Sequence, residues 1–451
     1  MRTRTNTRGT PRFSAPRMVV AGCLVLCLIS SCQSGAKDAP PRPGLRSIEQ
    51  QGPGNIGREE AALIAALKLP LLSGKNVEGA LAAWFAGREA AETGDLTKAE
   101  AAWQLGRREL TDLKNLPKAD WDPPNGTDFR LLRRIELNGM DGVECHIATW
   151  SVDHLKQYGV FMVPHSEDAS ARFPLVLYLH GAAFGVPLHA LPWLAKISRA
   201  GYAIVGPALR GEPLFSTYSR IPREIDLHCE GEIENLGGEV DDALSAVAGA
   251  LKLPCVSGHS FAILAHSFGA GVGLLAAARS PNVVCAVSYD AWLVDPFRFY
   301  WDRMRRGANN WWSWESYCNQ PVAEQLAGLM RRSVLHHADL LRCPLLLFIG
   351  GGYKGSVFHL SHEDLVARLT ALERDVTYDV VPDGHHTFVL AYDSPAARYA
   401  FERHTRFLHR HFPPSPQGRA SAKEAPKPVE SQGEAIRQPA IRPHTQDAKA
   451  P

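Results

Sequence analysis

The sequence lacks the features that mark several large classes of protein. Its 451 residues carry a formal net charge of only +2, so it has no basic surplus of the kind that binds nucleic acid. No C-x-x-C or H-E-x-x-H motif occurs, which leaves no common metal-binding pattern. The apolar run at residues 18–29 is too short to cross a bilayer as a stable helix. We therefore expect no metal, no cofactor and no nucleic-acid partner.

Residues 1–31 have the three parts of a secretory signal, namely an arginine-rich start, an apolar core and a run of small residues. The run continues into I-S-S-C, which resembles a bacterial lipobox, where the cysteine is lipidated and becomes the mature N-terminus. This resemblance implies lipid attachment at Cys32, and an ordinary secretory signal with an incidental cysteine is the alternative. Gln33 and Ser34 follow instead of aspartate. In the lipoprotein sorting pattern this implies the outer membrane of a Gram-negative cell envelope.

The rest of the chain divides by composition. Residues 32–57 are rich in proline, glycine, serine and charge, which is typical of a flexible tether. From Pro413 onward the chain lacks aromatic side chains and cannot bury a core, so we expect residues 412–451 to form a disordered tail. Between these segments the sequence predicts a helical unit at 58–120 and an α/β domain at 128–411.

The helical unit is predicted to be a hairpin. Apolar residues recur at intervals of three and four on both sides of T-G-D-L, where Gly94 suits the end of one helix and Asp95 the start of the next. The run A-E-T-G-D-L-T-K-A-E-A-A-W resembles a tetratricopeptide repeat. Because such repeats usually need about three copies for stability, we interpret it as a single hairpin packed on the main domain, with a surface for protein contact.

Beyond residue 128 the periodicity changes. Turn signals at Asn138–Gly139 and Asp141–Gly142 predict a β-hairpin, and continuous apolar strands then alternate with amphipathic helices. Strands that are apolar along their whole length are typical of a parallel sheet covered on both faces. We therefore predict an α/β fold with a mostly parallel central sheet, whose reactive groups gather at the carboxyl ends of the strands.

One strand end carries a candidate nucleophile. The run F-A-I-L-A-H leads directly into Ser267 and a helix that begins S-F-G-A-G. A nucleophile elbow needs small residues around the serine, because the turn is tight and the crossing elements leave little room. The usual G-x-S-x-G pattern reads A-H-S-F-G here, with Ala265 in the first small position. We predict that Ser267 is a nucleophile, and a structural serine at a helix start is the alternative.

The same turn predicts part of an oxyanion site. The first N–H groups of a helix have no partner within it and point outward, so the amide of Phe268 is a candidate donor. We expect the second donor in the loop Y-L-H-G-A-A-F-G, where Ala182 follows His180 and Gly181. We interpret His180 itself as a structural loop residue.

These motifs together resemble the α/β-hydrolase fold over residues 128–411. The segments P-L-L-L-F-I-G and P-D-G-H-H-T-F are similar to the prolyl-oligopeptidase and dienelactone-hydrolase group, in which the acid of the catalytic triad follows the first of these. Here G-G-G-Y-K-G follows instead. Tyr353 or Lys354 therefore stands where that group has its acid. The first carboxylate after this strand is Glu363.

A replacement acid lies one strand earlier. The run S-Y-D-A-W places Asp290 just after the strand that follows the nucleophile. In this respect the chain resembles the platelet-activating-factor acetylhydrolase family, which implies that Asp290 is the acid that orients the histidine. One alternative is that Asp290 only caps the next turn. Another is that the histidine is held by Asp295, Glu363 or Asp364.

Two adjacent histidines follow the last predicted strand. The base must come from a loop that reaches back over the serine, and P-D-G-H-H-T-F is polar and contains glycine, as such a loop requires. Alignment with the same family implies His385 as the base, with His386 as the alternative. The order Ser267, Asp290, His385 is the Ser…Asp…His order of this fold.

The insertion at residues 292–339 is dense in aromatic side chains. Such a segment is typical of a packed helical cap, of a lid with an apolar acyl or aromatic pocket, or of a surface that contacts membrane lipid. We interpret the chain as a lipid-anchored serine hydrolase, a carboxylic-ester hydrolase that forms an acyl-enzyme with a small-molecule or acylated substrate.

Two other functions stay open at this point. A serine peptidase of the prolyl-oligopeptidase-like type fits the motifs, although no propeller-sized segment precedes the hydrolase domain. A non-catalytic binding protein on a hydrolase scaffold is motivated by the missing acid after the penultimate strand.

Overall fold

The structure is a computed structural model that describes most of the chain between residues 55 and 414. The described residues are 55–72, 77–112, 127–136, 138–181, 184–216, 226–299, 328–392 and 394–414. The predicted signal, Cys32, most of the tether, most of the tail and the centre of the aromatic insertion lie outside them. Within the described part, no helix combines the length and the apolar character needed to cross a membrane.

The helices and strands alternate along the chain after a purely helical start. The longer helices of the described residues are α1 (Asn55–Leu72), α2 (Glu78–Glu92), α3 (Leu96–Asp112), α4 (Leu191–Arg199), α5 (Glu239–Ala250), α6 (Ser267–Arg279), α7 (Val357–Ala371) and α8 (Pro395–His411). The strands are β1 (Thr127–Ile135), β2 (Val143–Val152), β3 (Leu155–Pro164), β4 (Phe173–Leu179), β5 (Ala203–Pro207), β6 (Val256–His266), β7 (Val283–Tyr289), β8 (Leu345–Gly350) and β9 (Val376–Val381).

All of these strands belong to one sheet, in the order β1-β2-β3-β5-β4-β6-β7-β8-β9. Strands β1 and β2 pair antiparallel, as the predicted hairpin requires. Strand β2 also pairs antiparallel with β3, and β3 joins β5 antiparallel. From β5 to β9 every neighbouring pair is parallel. Parallel neighbours need crossover connections, which the helices supply. The mostly parallel sheet and the α/β-hydrolase fold class are confirmed.

Hydrophobic cores lie on both faces of this sheet. Helices α5, α6 and α7 contribute to the core on one face, and α4 and α8 to the core on the other. Along β4, Leu175, Leu177 and Leu179 join the first core, while Val176 and Tyr178 join the second. Because successive side chains of a strand point to opposite faces, a strand covered on both sides is apolar at every position.

The helical unit has a core of its own, around the fully buried Trp103. Gly94 has a φ of +84° after the end of α2, and Asp95 Oδ1 accepts a hydrogen bond from the Lys98 amide at 3.0 Å before α3. The turn therefore has the glycine and the capping side chain that the sequence predicts. Helix α1 begins at Asn55, inside the segment expected as tether, and adds a third helix to the expected hairpin.

The helical unit packs on the part of the α/β domain that flanks the insertion. Phe297 and Met330, from the two described ends of the insertion, join the core of the helical unit. Lys68 Nζ lies 2.7 Å from Asp339 Oδ1 across the same contact. Burial of these apolar side chains contributes more than the partly exposed ion pair, since such pairs contribute at most about 1 kcal/mol.

Candidate active site

Ser267 lies at the tip of a tight turn between a strand and a helix. Strand β6 ends at His266, and α6 begins at Ser267 itself, with a φ of +54°. A non-glycine residue with positive φ is strained, and proteins keep such strain mainly where function needs it. This backbone geometry is that of a nucleophile elbow.

Small neighbours make the turn possible. A Cβ added to Gly269 would overlap the carbonyl oxygen of His180, and one added to Gly181 would overlap the ring of His266. The chain after β4 therefore lies so close to the start of α6 and to the end of β6 that only glycine fits at these two positions. The elbow depends on these two glycines as much as on the serine.

The imidazole that faces Ser267 belongs to His386. Ser267 Oγ lies 2.6 Å from His386 Nε2, at hydrogen-bonding distance. Burial lowers the pKa of His386 to about 3, with smaller contributions from the neighbouring His266 and His362. The ring is therefore neutral near pH 7. In the tautomer that carries its hydrogen on Nδ1, the Nε2 lone pair accepts the hydroxyl hydrogen, which is the arrangement that a general base requires.

The expectation for His385 needs correction, because its side chain is exposed and the following residue contacts Ser267. The path of the loop after β9 explains the difference. Gly384 lies directly against Gly350, and His266 Nε2–H donates to the His386 carbonyl oxygen at 2.7 Å. These contacts hold the His386 peptide beside the elbow. Adjacent side chains in the loop point in different directions, so only one of the two rings reaches the serine.

Asp290 follows β7, as the sequence predicts, and it is buried with a φ of +46°. Its Oδ1 accepts a hydrogen bond from the Gly350 amide at 2.8 Å, whereas its Oδ2 is buried with no hydrogen-bond partner among the described residues. The expected hydrogen bond to His385 or His386 is not formed. Burial raises the pKa of Asp290 well above its usual range, and the Gly350 hydrogen bond opposes that rise.

The three alternative carboxylates are engaged elsewhere. Asp295 Oδ1 accepts from the Arg298 amide at 3.1 Å, and Asp364 pairs with the Arg298 guanidinium. Glu363 Oε1 lies 3.4 Å from His359 Nδ1. None of these carboxylates pairs with either histidine after β9, so none replaces Asp290 as the candidate acid.

The candidate oxyanion donors are only partly described. The Phe268 amide lies in the first turn of α6, where the helix has no acceptor for it. The next amide, that of Gly269, donates to the His180 carbonyl oxygen at 3.0 Å and so ties the loop after β4 to the elbow. Ala182 lies outside the described residues, and its role stays a prediction.

Sequence reasoning missed two side chains close to His386. The Tyr353 ring lies 5.7 Å from the His386 ring at 84°. It occupies the sequence position where the prolyl-oligopeptidase-like group, which the motifs resemble, has its acid, and this was a usable signal. His362 lies in α7 and donates from Nδ1 to the Phe358 carbonyl oxygen at 2.8 Å. Its Nε2 is buried, and no hydrogen-bond partner for it occurs in the part of the chain that the structure describes. No sequence signal separates His362 from an ordinary helix residue.

Comparisons with known proteins find similarity in structure only. No family model and no curated protein matches the chain. The structure is similar to an acylaminoacyl peptidase from Pyrococcus horikoshii, with 16% identity and a TM-score of 0.42 over 68% of this chain and 44% of the peptidase. It is also similar to acetyl xylan esterase 1 from Thermoanaerobacterium sp. JW/SL YS485, with 16% identity and a TM-score of 0.44 over 63% of this chain and 87% of the esterase.

A second acetyl xylan esterase, from Paenibacillus sp. R4, is similar with 15% identity and a TM-score of 0.44 over 67% of this chain and 92% of that one. The chain spans less than half the length of the Pyrococcus horikoshii acylaminoacyl peptidase. At such low identity the likeness concerns the fold alone.

The parallel sheet, with helices on both faces and a strained serine at the end of β6, defines the chain as a protein of the α/β-hydrolase fold.

Proposed function

We propose that this chain is a serine hydrolase that acts on carboxylic esters. The observation that carries the proposal is the 2.6 Å contact between Ser267 Oγ and His386 Nε2 at a strained elbow. A serine hydroxyl is a weak nucleophile until a base takes its proton. The neutral ring of His386 supplies that base at the required distance.

In the proposed reaction, Ser267 Oγ attacks the ester carbonyl carbon while His386 takes the hydroxyl proton. The negative oxygen of the tetrahedral intermediate faces the Phe268 amide at the positive end of the α6 dipole. The imidazolium then gives its proton to the departing alcohol oxygen, which leaves an acyl-enzyme. A water molecule then attacks the acyl carbonyl carbon while His386 takes its proton. The proton passes to Ser267 Oγ, and the carboxylic acid is released.

We assign Asp290 as the third member of the site. In the free protein both partners favour their neutral forms, because burial raises the pKa of Asp290 and lowers that of His386. Once His386 carries the serine proton, a buried carboxylate nearby gains an opposite charge, and its ionisation becomes less costly. The unpaired Oδ2 of Asp290 is the atom available for that contact. Catalytic hydrogen bonds are often long before substrate binds.

The substitution Asp290→Asn is expected to raise stability at pH 7 while lowering kcat about 100-fold or more. A folded-state pKa above the unfolded value of about 3.9 means that ionisation costs stability as pH rises through this range. Asparagine does not ionise, so the gain in Tm is largest at neutral pH and disappears near pH 4. Thermal unfolding between pH 4 and 8, together with kcat, measures both effects.

The control for this experiment is Asp295→Asn, which removes an alternative acid that already pairs with Arg298. We expect this variant to keep its activity. If Asp290→Asn hydrolyses esters within threefold of the wild-type rate, Asp290 has no role as the acid. A Tm gain that does not depend on pH would contradict the assigned cause.

Aromatic side chains beside the pair favour an apolar acyl group. The Trp292 amide donates to the Ser267 carbonyl oxygen at 2.8 Å, and the Trp292 and Phe358 rings lie 5.1 Å apart. Tyr353 extends this cluster from Phe358, at 5.8 Å, to the ring of His386. An acyl chain or aromatic acid that covers such a surface is bound by about 25 cal/mol for each Å² of apolar area removed from water.

Two other functions have specific support. The peptidase alternative follows from the same Ser267–His386 pair, which attacks amides as well as esters. The non-catalytic alternative rests on the missing hydrogen bond between Asp290 and the imidazole.

The test is covalent labelling with a fluorophosphonate probe, followed by mass spectrometry of the peptide that contains Ser267. We expect one probe per chain on Ser267, and then faster turnover of p-nitrophenyl esters than of p-nitroanilide peptides. The absence of labelling would favour the binding protein. Labelling with faster amide turnover would favour the peptidase. Esters of graded chain length then test the apolar acyl site.

A further inference from the structure

Two buried titratable side chains lie beside the elbow and have no part in the proposed reaction. His180, at the end of β4, is 0% exposed and Glu212 is 1% exposed. His180 Nε2 lies 3.1 Å from Glu212 Oε2. Taking such groups out of water is costly unless they face each other and further polar partners. Nε2 and Oε2 thus approach each other at ion-pair distance in the interior, without hydrogen-bond geometry.

Glu212 is itself fixed by the chain that carries it. Its Oε2 also accepts a hydrogen bond from the Leu209 amide at 3.1 Å. The carboxylate is thus tied by a hydrogen bond to the backbone of the short loop after β5. His180 therefore faces a carboxylate whose position is fixed.

His180 connects this loop to the nucleophile. Its carbonyl oxygen accepts from the Gly269 amide in the first turn of α6 at 3.0 Å. The next residue, Gly181, lies so close to Ser267 that an added Cβ would come within 3.0 Å of the serine Cβ. The His180 side chain thus faces Glu212, while the His180–Gly181 backbone lies against the elbow.

The far end of the loop after β4 is held by the same segment. The Val186 amide donates to the Leu214 carbonyl oxygen at 2.9 Å, and the Ser216 amide donates to the Val186 carbonyl oxygen at 3.1 Å. The chain at 209–216 thus contacts the loop at both of its described ends. Through His180, Glu212 fixes the end that adjoins the nucleophile.

We propose that Glu212 is a positioning residue of the active site, which acts through His180 to set the distance between the His180–Gly181 backbone and Ser267. This inference rests on the proposed function, since it concerns the walls of the same site. Backbone groups that stabilise an oxyanion act only when they are held at the correct distance beforehand. A displacement of about 1 Å is enough to lower the rate about 100-fold.

The test is Glu212→Gln, which keeps the size of the side chain and an acceptor for the Leu209 amide but removes the charge that faces His180. We expect kcat for p-nitrophenyl butyrate to fall about 10- to 100-fold with KM within threefold. Butylboronic acid, which forms a tetrahedral adduct with the serine, is expected to lose affinity by the same factor as kcat/KM. A purely structural role would not produce this proportionality.

The matched control is Glu239→Gln. Glu239 is equally buried and accepts three backbone hydrogen bonds, from Glu234, Asn235 and Gly237 at 2.7–2.9 Å. We expect it to leave kcat and boronate affinity unchanged. If Glu212→Gln folds poorly, His180→Gln removes the same contact from the other side. We expect it to lower kcat and boronate affinity in the same way, with KM nearly unchanged.

The inference is overturned if the wild type is labelled on Ser267 while Glu212→Gln keeps its kcat and boronate affinity within twofold. The proposed function fails separately, when the wild type itself neither hydrolyses esters nor binds the boronic acid. The two failures are therefore distinguishable in one set of measurements.

Discussion

Ser267→Ala is expected to lower ester hydrolysis about 10⁴- to 10⁶-fold, the range in which loss of a serine nucleophile falls. The substitution removes only the Oγ atom that lies 2.6 Å from His386 Nε2. Alanine occupies the positive φ of +54° at a cost similar to that of serine, so the elbow itself is retained. One net hydrogen bond, about 1 kcal/mol, is lost from stability. Initial rates and Tm measured on the same samples separate the two effects.

Ser198→Ala is the matched control for this experiment. Ser198 is a fully buried serine on α4, and within the described ranges its Oγ has no hydrogen-bond partner. We expect this variant to keep wild-type kcat. More than about 1% residual activity in folded Ser267→Ala protein would mean that another group performs the attack, since loss of the nucleophile is expected to cost at least 10⁴-fold.

His386→Gln is expected to lower kcat/KM about 10⁴-fold or more, whereas His385→Gln stays within threefold of the wild type. The two substitutions are chemically identical and adjacent, so their difference reports geometry rather than composition. Glutamine keeps a polar side chain at the site but cannot take up the hydroxyl proton. The exposed His385 side chain makes no contact with Ser267.

The rate of fluorophosphonate labelling provides a second measure of the same difference. It is expected to fall in parallel with kcat/KM for His386→Gln, because the base activates the serine in both reactions. A larger loss in His385→Gln than in His386→Gln would restore the sequence-based choice of His385. Equal losses in both variants would indicate that the loop after β9 exchanges its two rings.

The fold followed from local patterns in the sequence. A run such as P-L-V-L-Y-L is apolar at every position because both faces of β4 are covered, and this pattern is visible without any knowledge of neighbours. The turn at Gly94 and Asp95 was predictable for the same reason, since helix ends are decided by residues within one or two turns. Most of the extra helix α1 lies inside the predicted helical unit, but it was not resolved as a separate helix, and its first residues, 55–57, were grouped with the polar tether.

The candidate site was predictable to different degrees. The elbow at Ser267 and the strand-end place of Asp290 depend on short segments, and the structure has both where the sequence indicated. The imidazole that contacts Ser267 belongs to His386, one residue after the predicted His385. The direction of His386 depends on the His266 hydrogen bond and on the contact between Gly384 and Gly350, which join distant parts of the chain.

The sequence by itself determined the order of strands and helices, the parallel sheet and the strained serine turn, because side-chain burial and backbone sterics act over a few neighbouring residues. Only the tertiary structure decided that the His386 imidazole contacts Ser267 and that Asp290 makes no hydrogen bond to this imidazole. It alone also decided that Glu212 faces His180. These are distances between atoms on separate loops. They are set by the paths of those loops across the end of the sheet, which no local pattern encodes.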